Sequence, residues 1–148
     1  MTPQAEPPPP PEGFAPSDSR GPFQGRNGPF FHRLSADDPA RVEQALFLLP
    51  QHTNGLGVLH GGMLSAFLDG LLGAAVARGA GRPGMTAHLS VDFLRMARPG
   101  AWLLGEARMT HATRDLAYAE GQASLRGRVV GRASGVFKLM GRRGGPAD

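Results

Sequence analysis

The chain has 148 residues, enough to bury the core of one domain and too few for two. It lacks cysteine, which excludes a disulfide framework and a Cys-ligated metal, and its net charge is +4. No stretch reads as a membrane span, and the start lacks the basic-then-apolar order of a signal peptide, so a cytoplasmic protein without membrane contact is the expectation.

The basic residues are fifteen arginines and one lysine, Lys138. They are scattered apart from Arg142-Arg143, and no aromatic ladder accompanies them, which argues against nucleic-acid binding. A few arginines at a pocket mouth would instead suit the phosphates of a nucleotide-tailed substrate.

Nine of the fourteen prolines fall within the first 29 residues, including the run Pro7 to Pro11. Residues 1–28 therefore read as a disordered or polyproline arm, with ordered structure beginning near Phe30. Residues 30–34 suit a short strand or a helical turn. Asp37-Asp38-Pro39 is a turn, and residues 41–49 a strand ended by Pro50.

After a loop from Gln51 to Leu59 comes the longest stretch with a helical apolar period, from Gly61 to about Arg78. Met63, Phe67, Leu71 and Ala74 recur at three- and four-residue steps, joined by Leu64, Leu68, Leu72 and Ala75. Apolar residues cover most of its circumference, so it should be buried on most sides. Yet its middle carries Asp69, and an aspartate is rarely buried unless paired or functional. It opens on His60-Gly61-Gly62, where free N–H groups and the positive end of the dipole suit an anion or a developing oxyanion. Asp69 lies about 12 Å further along the axis, too far for both groups to reach one reacting carbon. Two such helices, antiparallel across a twofold axis, would bring the start of one beside the middle of the other, so a symmetric dimer with shared sites is expected.

Glycine-rich residues 77–84 end the helix. Residues 85–97 alternate, with Ala87, Leu89, Val91 and Phe93 on one face and Thr86, His88, Ser90 and Asp92 on the other, as in a half-buried strand. Strands are also expected over 101–110, 116–126 and 129–140, the last two forming a hairpin about Gly127-Arg128. Ala117, Ala119, Gly121, Ala123, Gly131, Ala133 and Gly135 give that hairpin a small-residue face against which a helix can lie. The expected class is α+β, one long helix wrapped by a curved, mainly antiparallel sheet over residues 29–141, with a flexible tail at 142–148.

Asn54 six residues before His60, the pair Gly61-Gly62, Asp69 within the helix and Thr86 opening the next strand form a spaced set, N-x5-HGG-x6-D. This set, in this order of elements, resembles the hotdog-fold acyl-CoA thioesterases, and within them the phenylacetate-pathway (PaaI-like) branch. The resemblance covers roughly Phe30 to Gly141. It implies hydrolysis of acyl-CoA thioesters, with a small aromatic or medium-chain acyl group, by a homodimer assembled into a homotetramer, without a cofactor or metal. It assigns the Gly61 N–H to the oxyanion, and Asn54 to a further donor or to positioning the nucleophile. Asp69 of the other subunit would be general base or nucleophile, and Thr86 would orient the water. His60 and Gly62 would shape the substrate-binding loop and helix start.

Other readings stand beside these. Asp69 could be a structural carboxylate paired with an arginine, His60 a capping or core histidine, Asn54 a turn residue and Thr86 ordinary strand filler. His88 and Asp92 lack a third metal ligand, His52 and His111 read as loop residues, and Trp102 and Tyr118 as packing or interface residues. Two other functions share the fold: a non-catalytic module binding acyl-CoA or acyl-carrier thioesters, and a thioester hydratase or dehydratase. The second needs a His–carboxylate pair that cannot be assembled around His60.

Overall fold

The computed structural model describes residues 6–18 and 21–141. In it the helix α2 (Gly61–Ala80) lies on one face of a seven-stranded antiparallel sheet ordered β1-β2-β3-β5-β6-β7-β4. The strands are β1 (Ala15–Pro16), β2 (Phe30–Leu34), β3 (Arg41–Phe47), β4 (Gly84–Phe93), β5 (Trp102–Ala112), β6 (Leu116–Leu125) and β7 (Arg128–Leu139), with a short helix α1 (Pro22–Asn27). This is the α+β hotdog architecture expected from the sequence.

The apolar period of α2 becomes its buried side: Met63, Leu64, Phe67, Leu68, Leu71, Leu72, Ala75 and Val76 face the sheet. Each fully buried Leu or Phe contributes about 1.5–3 kcal/mol. The sheet accommodates them because it presents small residues there. A methyl at Gly105 would stand 2.6 Å from Leu71 Cδ2 and 2.7 Å from Phe67 Cε1, and one at Gly131 2.8 Å from Leu64 Cδ2. Gly81 ends the helix in the left-handed conformation at φ 72°, which glycine adopts without strain.

By length and mean hydropathy, 1.3 over its best window, α2 is long and apolar enough to cross a membrane. This corrects the expectation of no membrane-length run: glycines and Asp69 punctuate the apolar pattern without lowering its mean hydropathy enough, and the helix packs its apolar side on the sheet.

Two further expectations change. Residues before Phe30, expected as an arm, include α1 and the two-residue β1, which pairs Ala15 with His32 and Pro16 with Phe31. Proline is tolerated at a sheet margin and in the first turn of a helix, and Arg33 anchors the segment, its guanidinium 4.8 Å over the Phe14 ring. Strand β4 is not evenly half-buried. It forms a sheet edge, and a bulge between Thr86 and His88 breaks its alternation. Thr86 pairs with the core residue Phe137, and Leu89 with Gly135, so Thr86 joins Leu89 on the helix side of the sheet rather than opposing it. The tail expected at 142–148 lies outside the described residues.

Candidate active site

The bulge decides the surroundings of Asp69. The carboxylate is half-buried midway along α2, and the turned Thr86 Oγ1 donates to its Oδ1 at 2.7 Å. One oxygen is thereby fixed by an uncharged donor. None of the ion pairs among the described residues involves Asp69, so the arginine partner of the structural reading is absent from them.

At the helix start, His60 is the N-cap, and its Nδ1 accepts the Gly62 N–H at 2.8 Å. An accepting Nδ1 places the proton of a neutral ring on Nε2. The His60 carbonyl takes the Leu64 N–H at 3.0 Å, while the Gly61 N–H has no hydrogen-bond partner among the described residues. The two glycines have separate reasons. A Cβ on Gly62 would lie 2.9 Å from His60 Nδ1 and displace the cap; one on Gly61 would lie 3.3 Å from the Phe93 ring. The open N–H therefore sits at a tip with no side chain of its own, beside the end of β4.

Asn54 organises the preceding loop. Its Oδ1 accepts from Leu56 N at 2.9 Å and Val58 N at 3.4 Å, an Asx-type turn, and its Nδ2 donates to nothing among the described residues. Thus Asp69 and Thr86 are brought together, as are His60 and Gly62. Gly61 and Asp69 stay apart within the protomer by about 12 Å, the rise of eight helical residues.

Two buried polar residues escaped the sequence reading. His52, expected in a loop, is only 1% exposed. Its Nδ1 accepts the Leu49 N–H at 3.0 Å, its Nε2–H donates to the Asn27 carbonyl at 2.7 Å, and its own carbonyl takes the His60 N–H at 2.9 Å. Burial holds its pKa below the usual histidine value, opposed by the Asn27 carbonyl. Gln44 donates from Nε2 to the Phe67 carbonyl of α2 at 3.0 Å and accepts from His32 at 2.9 Å. Its signal was available: Gln44 stands between Val42 and Leu46 on an apolar strand face. His52 offered only its position two residues before Asn54.

A cavity of about 580 Å³ opens on the sheet face away from α2, between Arg41, Arg108, Arg132 and Asp92, Glu106, Glu120. Its charges are largely matched among themselves and with the adjoining Asp38 (Arg41–Glu106 at 3.3 Å, Arg132–Asp92 at 4.0 Å, Arg108–Asp38 at 2.9 Å), and it contains none of the residues at the helix start. No group of three potential metal ligands occurs among the described residues.

Comparison with known proteins identifies the family. Residues 56–132 match the model of the thioesterase superfamily. PA0474 of Pseudomonas aeruginosa, a protein with an esterase name, is 38% identical over 131 residues, 87% of this chain and 96% of the relative. A phenylacetic acid degradation-related protein from Ralstonia eutropha superposes with a TM-score of 0.72 at 27% identity, covering 82% of this chain and 92% of its own. A variant of the phenylacetic acid degradation protein PaaI from Thermus thermophilus gives 0.71 at 23% identity, covering 80% and 100%. The chain belongs to the thioesterase superfamily, as a hotdog-fold member closely related to the phenylacetate-pathway thioesterases.

Proposed function

We propose that this protein hydrolyses acyl-CoA thioesters of small aromatic or medium-chain acids, in sites shared by the two subunits of a homodimer. The observation that carries this reading is the Asp69 carboxylate held by Thr86 at 2.7 Å, on a helix whose open Gly61 N–H lies out of its own reach. Among the described residues strand β4 is a sheet edge, and its own Met85 and Phe93 are exposed, a surface suited to a second copy. A twofold partner there sets two α2 helices antiparallel, with each Gly61 near the other's Asp69.

In such a site the thioester oxygen accepts the Gly61 N–H, with the Asn54 Nδ2 as a second donor. Asp69 of the facing subunit takes a proton from water as the water oxygen bonds to the carbonyl carbon. The oxyanion that forms is held at the helix tip, where one donor contributes about 2.7–4 kcal/mol. Its collapse breaks the carbon–sulfur bond, and the thiolate leaves as CoA and takes up a proton, giving the free acid. Thr86 keeps one Asp69 oxygen occupied, so the other faces the water.

A thiol-release assay over acyl-CoAs of graded length and aromaticity, with Asp69→Asn as comparison, tests this. Turnover should fall by about 10²–10⁴ in the variant while CoA binding persists. An unchanged rate removes Asp69 from the mechanism, and tight binding without turnover in the wild type makes the protein a thioester-binding module.

A further inference from the structure

The loop that carries Asn54 and ends at the His60 cap takes its shape from itself but its direction from elsewhere. Thr53 pairs with Leu59, and Asn54 N–H donates to the Val58 carbonyl at 2.9 Å, so residues 53–59 form a small closed turn. Its tip holds Gly55, Leu56 and Gly57, and Leu56 is 79% exposed, so the tip packs on nothing that would orient it. The base is tied at both sides: Leu59 N–H donates to the Ala97 carbonyl at 2.7 Å, and His60 N–H to the His52 carbonyl at 2.9 Å.

His52 is in turn held by its ring. A neutral imidazole has one acceptor and one donor, and both are used. Nδ1 takes the Leu49 N–H at 3.0 Å, and Nε2–H reaches the Asn27 carbonyl at 2.7 Å, 25 residues back in the chain. The segments that meet at this ring, residues 21–30 and 48–64, contain no aspartate or glutamate, so no carboxylate of theirs competes for it.

Asn27 ends α1, and α1 is placed against α2. Gln24 Nε2 lies 3.7 Å from where a Cβ on Gly70 would stand, one residue after Asp69. Beyond α1, the Phe30 ring packs on Phe67 of α2 with centroids 6.4 Å apart. Between these two contacts, Gly28 N–H donates to the Gln24 carbonyl at 2.8 Å and Asn27 Nδ2 to the Phe23 carbonyl at 2.9 Å, which closes the short helix. The Asn27 carbonyl therefore stands at a point set by the middle of α2, and the His52 ring carries that reference to the base of the loop.

Resting on the proposed hydrolase reading, we propose that His52 is a positioning residue: through the Asn27 carbonyl it sets the direction of the Asn54 loop and the His60 cap relative to the middle of α2. The donors at Asn54 and Gly61 are thus aligned by a segment from the start of the chain, without that segment entering the chemistry.

Two substitutions separate the two ring contacts. His52→Asn can set its oxygen where Nδ1 stands and keeps the Leu49 contact alone; His52→Gln can set its amide nitrogen where Nε2 stands and keeps the Asn27 contact. In His52→Asn, kcat for an acyl-CoA should fall by about tenfold to a hundredfold with KM changed less than about twofold, since the lost alignment acts on the transition state. His52→Gln should recover kcat to within about threefold of the wild type. Amide exchange followed by NMR gives a readout independent of turnover. In His52→Asn, the His60 and Gly62 N–H groups should exchange at least about tenfold faster while those of Leu71 and Leu72 keep their rates; a fold that is merely weakened would speed all four together. Full kcat in His52→Asn, equal losses in the two variants, or exchange raised evenly along α2 would overturn the assignment. If the wild type hydrolyses no acyl-CoA, the hydrolase reading fails, and faster exchange confined to His60 and Gly62 still establishes the link from α1 to the loop.

Discussion

Replacing Gly62 by alanine separates the stability of the α2 start from its function. The new methyl would stand 2.9 Å from His60 Nδ1 and 3.0 Å from Cε1, so the imidazole must swing away and the 2.8 Å cap to Gly62 N–H is lost. Loss of an N-cap destabilises by about 1 kcal/mol. Gly62 does not have positive φ, so alanine fits its backbone and returns up to about 1 kcal/mol of helix propensity. The two terms nearly cancel, and unfolding by urea should show a change within about 0.5 kcal/mol. His60→Ala loses the cap without that return and should be destabilised by about 1 kcal/mol. Both variants should lose thioesterase kcat/KM by at least about tenfold, because the ring that fixes the first helical turn no longer holds the Gly61 N–H in line. Full activity in Gly62→Ala would refute the argument that the cap sets the oxyanion donor, and a loss of stability beyond about 2 kcal/mol would mean the strain spreads into the fold.

Two further outcomes follow from packing and titration. Gly105→Ala drives a methyl into Leu71 and Phe67 and should cost about 1–3 kcal/mol in urea unfolding, more than any exposed glycine in a loop; a neutral result would mean the helix–sheet contact yields freely. Burial holds the His52 pKa in the fold below its ordinary value of 6.5, while in the unfolded chain the ring takes up its proton near that pH. The unfolded state then binds more protons, so stability present above pH 6.5 is lost as the pH falls, by up to about 1.4 kcal/mol per pH unit. His52→Asn, whose Oδ1 can accept the Leu49 N–H without titrating, should lack that part of the slope below pH 6.5. Equal slopes would show that His52 is not the group responsible.

Periodicity in the chain was sufficient for the helix at 61–80, for the strands on either side, and for the small-residue face that receives it, because burial of apolar side chains is a local, repeating demand. Asp69 and the pair Gly61-Gly62 stand out in the sequence as polar or glycine residues set into an apolar helical pattern, whereas Asn54, in a polar loop, is singled out only by the spacing of the family resemblance. Which face Thr86 occupies was not legible, since alternation assigns it outward and only a bulge opposite Phe137 turns it toward Asp69. Likewise, nothing in the local sequence said that His52 would be buried between the Leu49 amide and the Asn27 carbonyl, 25 residues apart from the latter. The same holds for Gln44, which reaches across to the Phe67 carbonyl, and for Arg95 against Val129. Those links join segments distant along the chain, and their partners are chosen by how the sheet curves and where its edge ends. Short-range pattern carries no information about that, so the tertiary fold alone decides it.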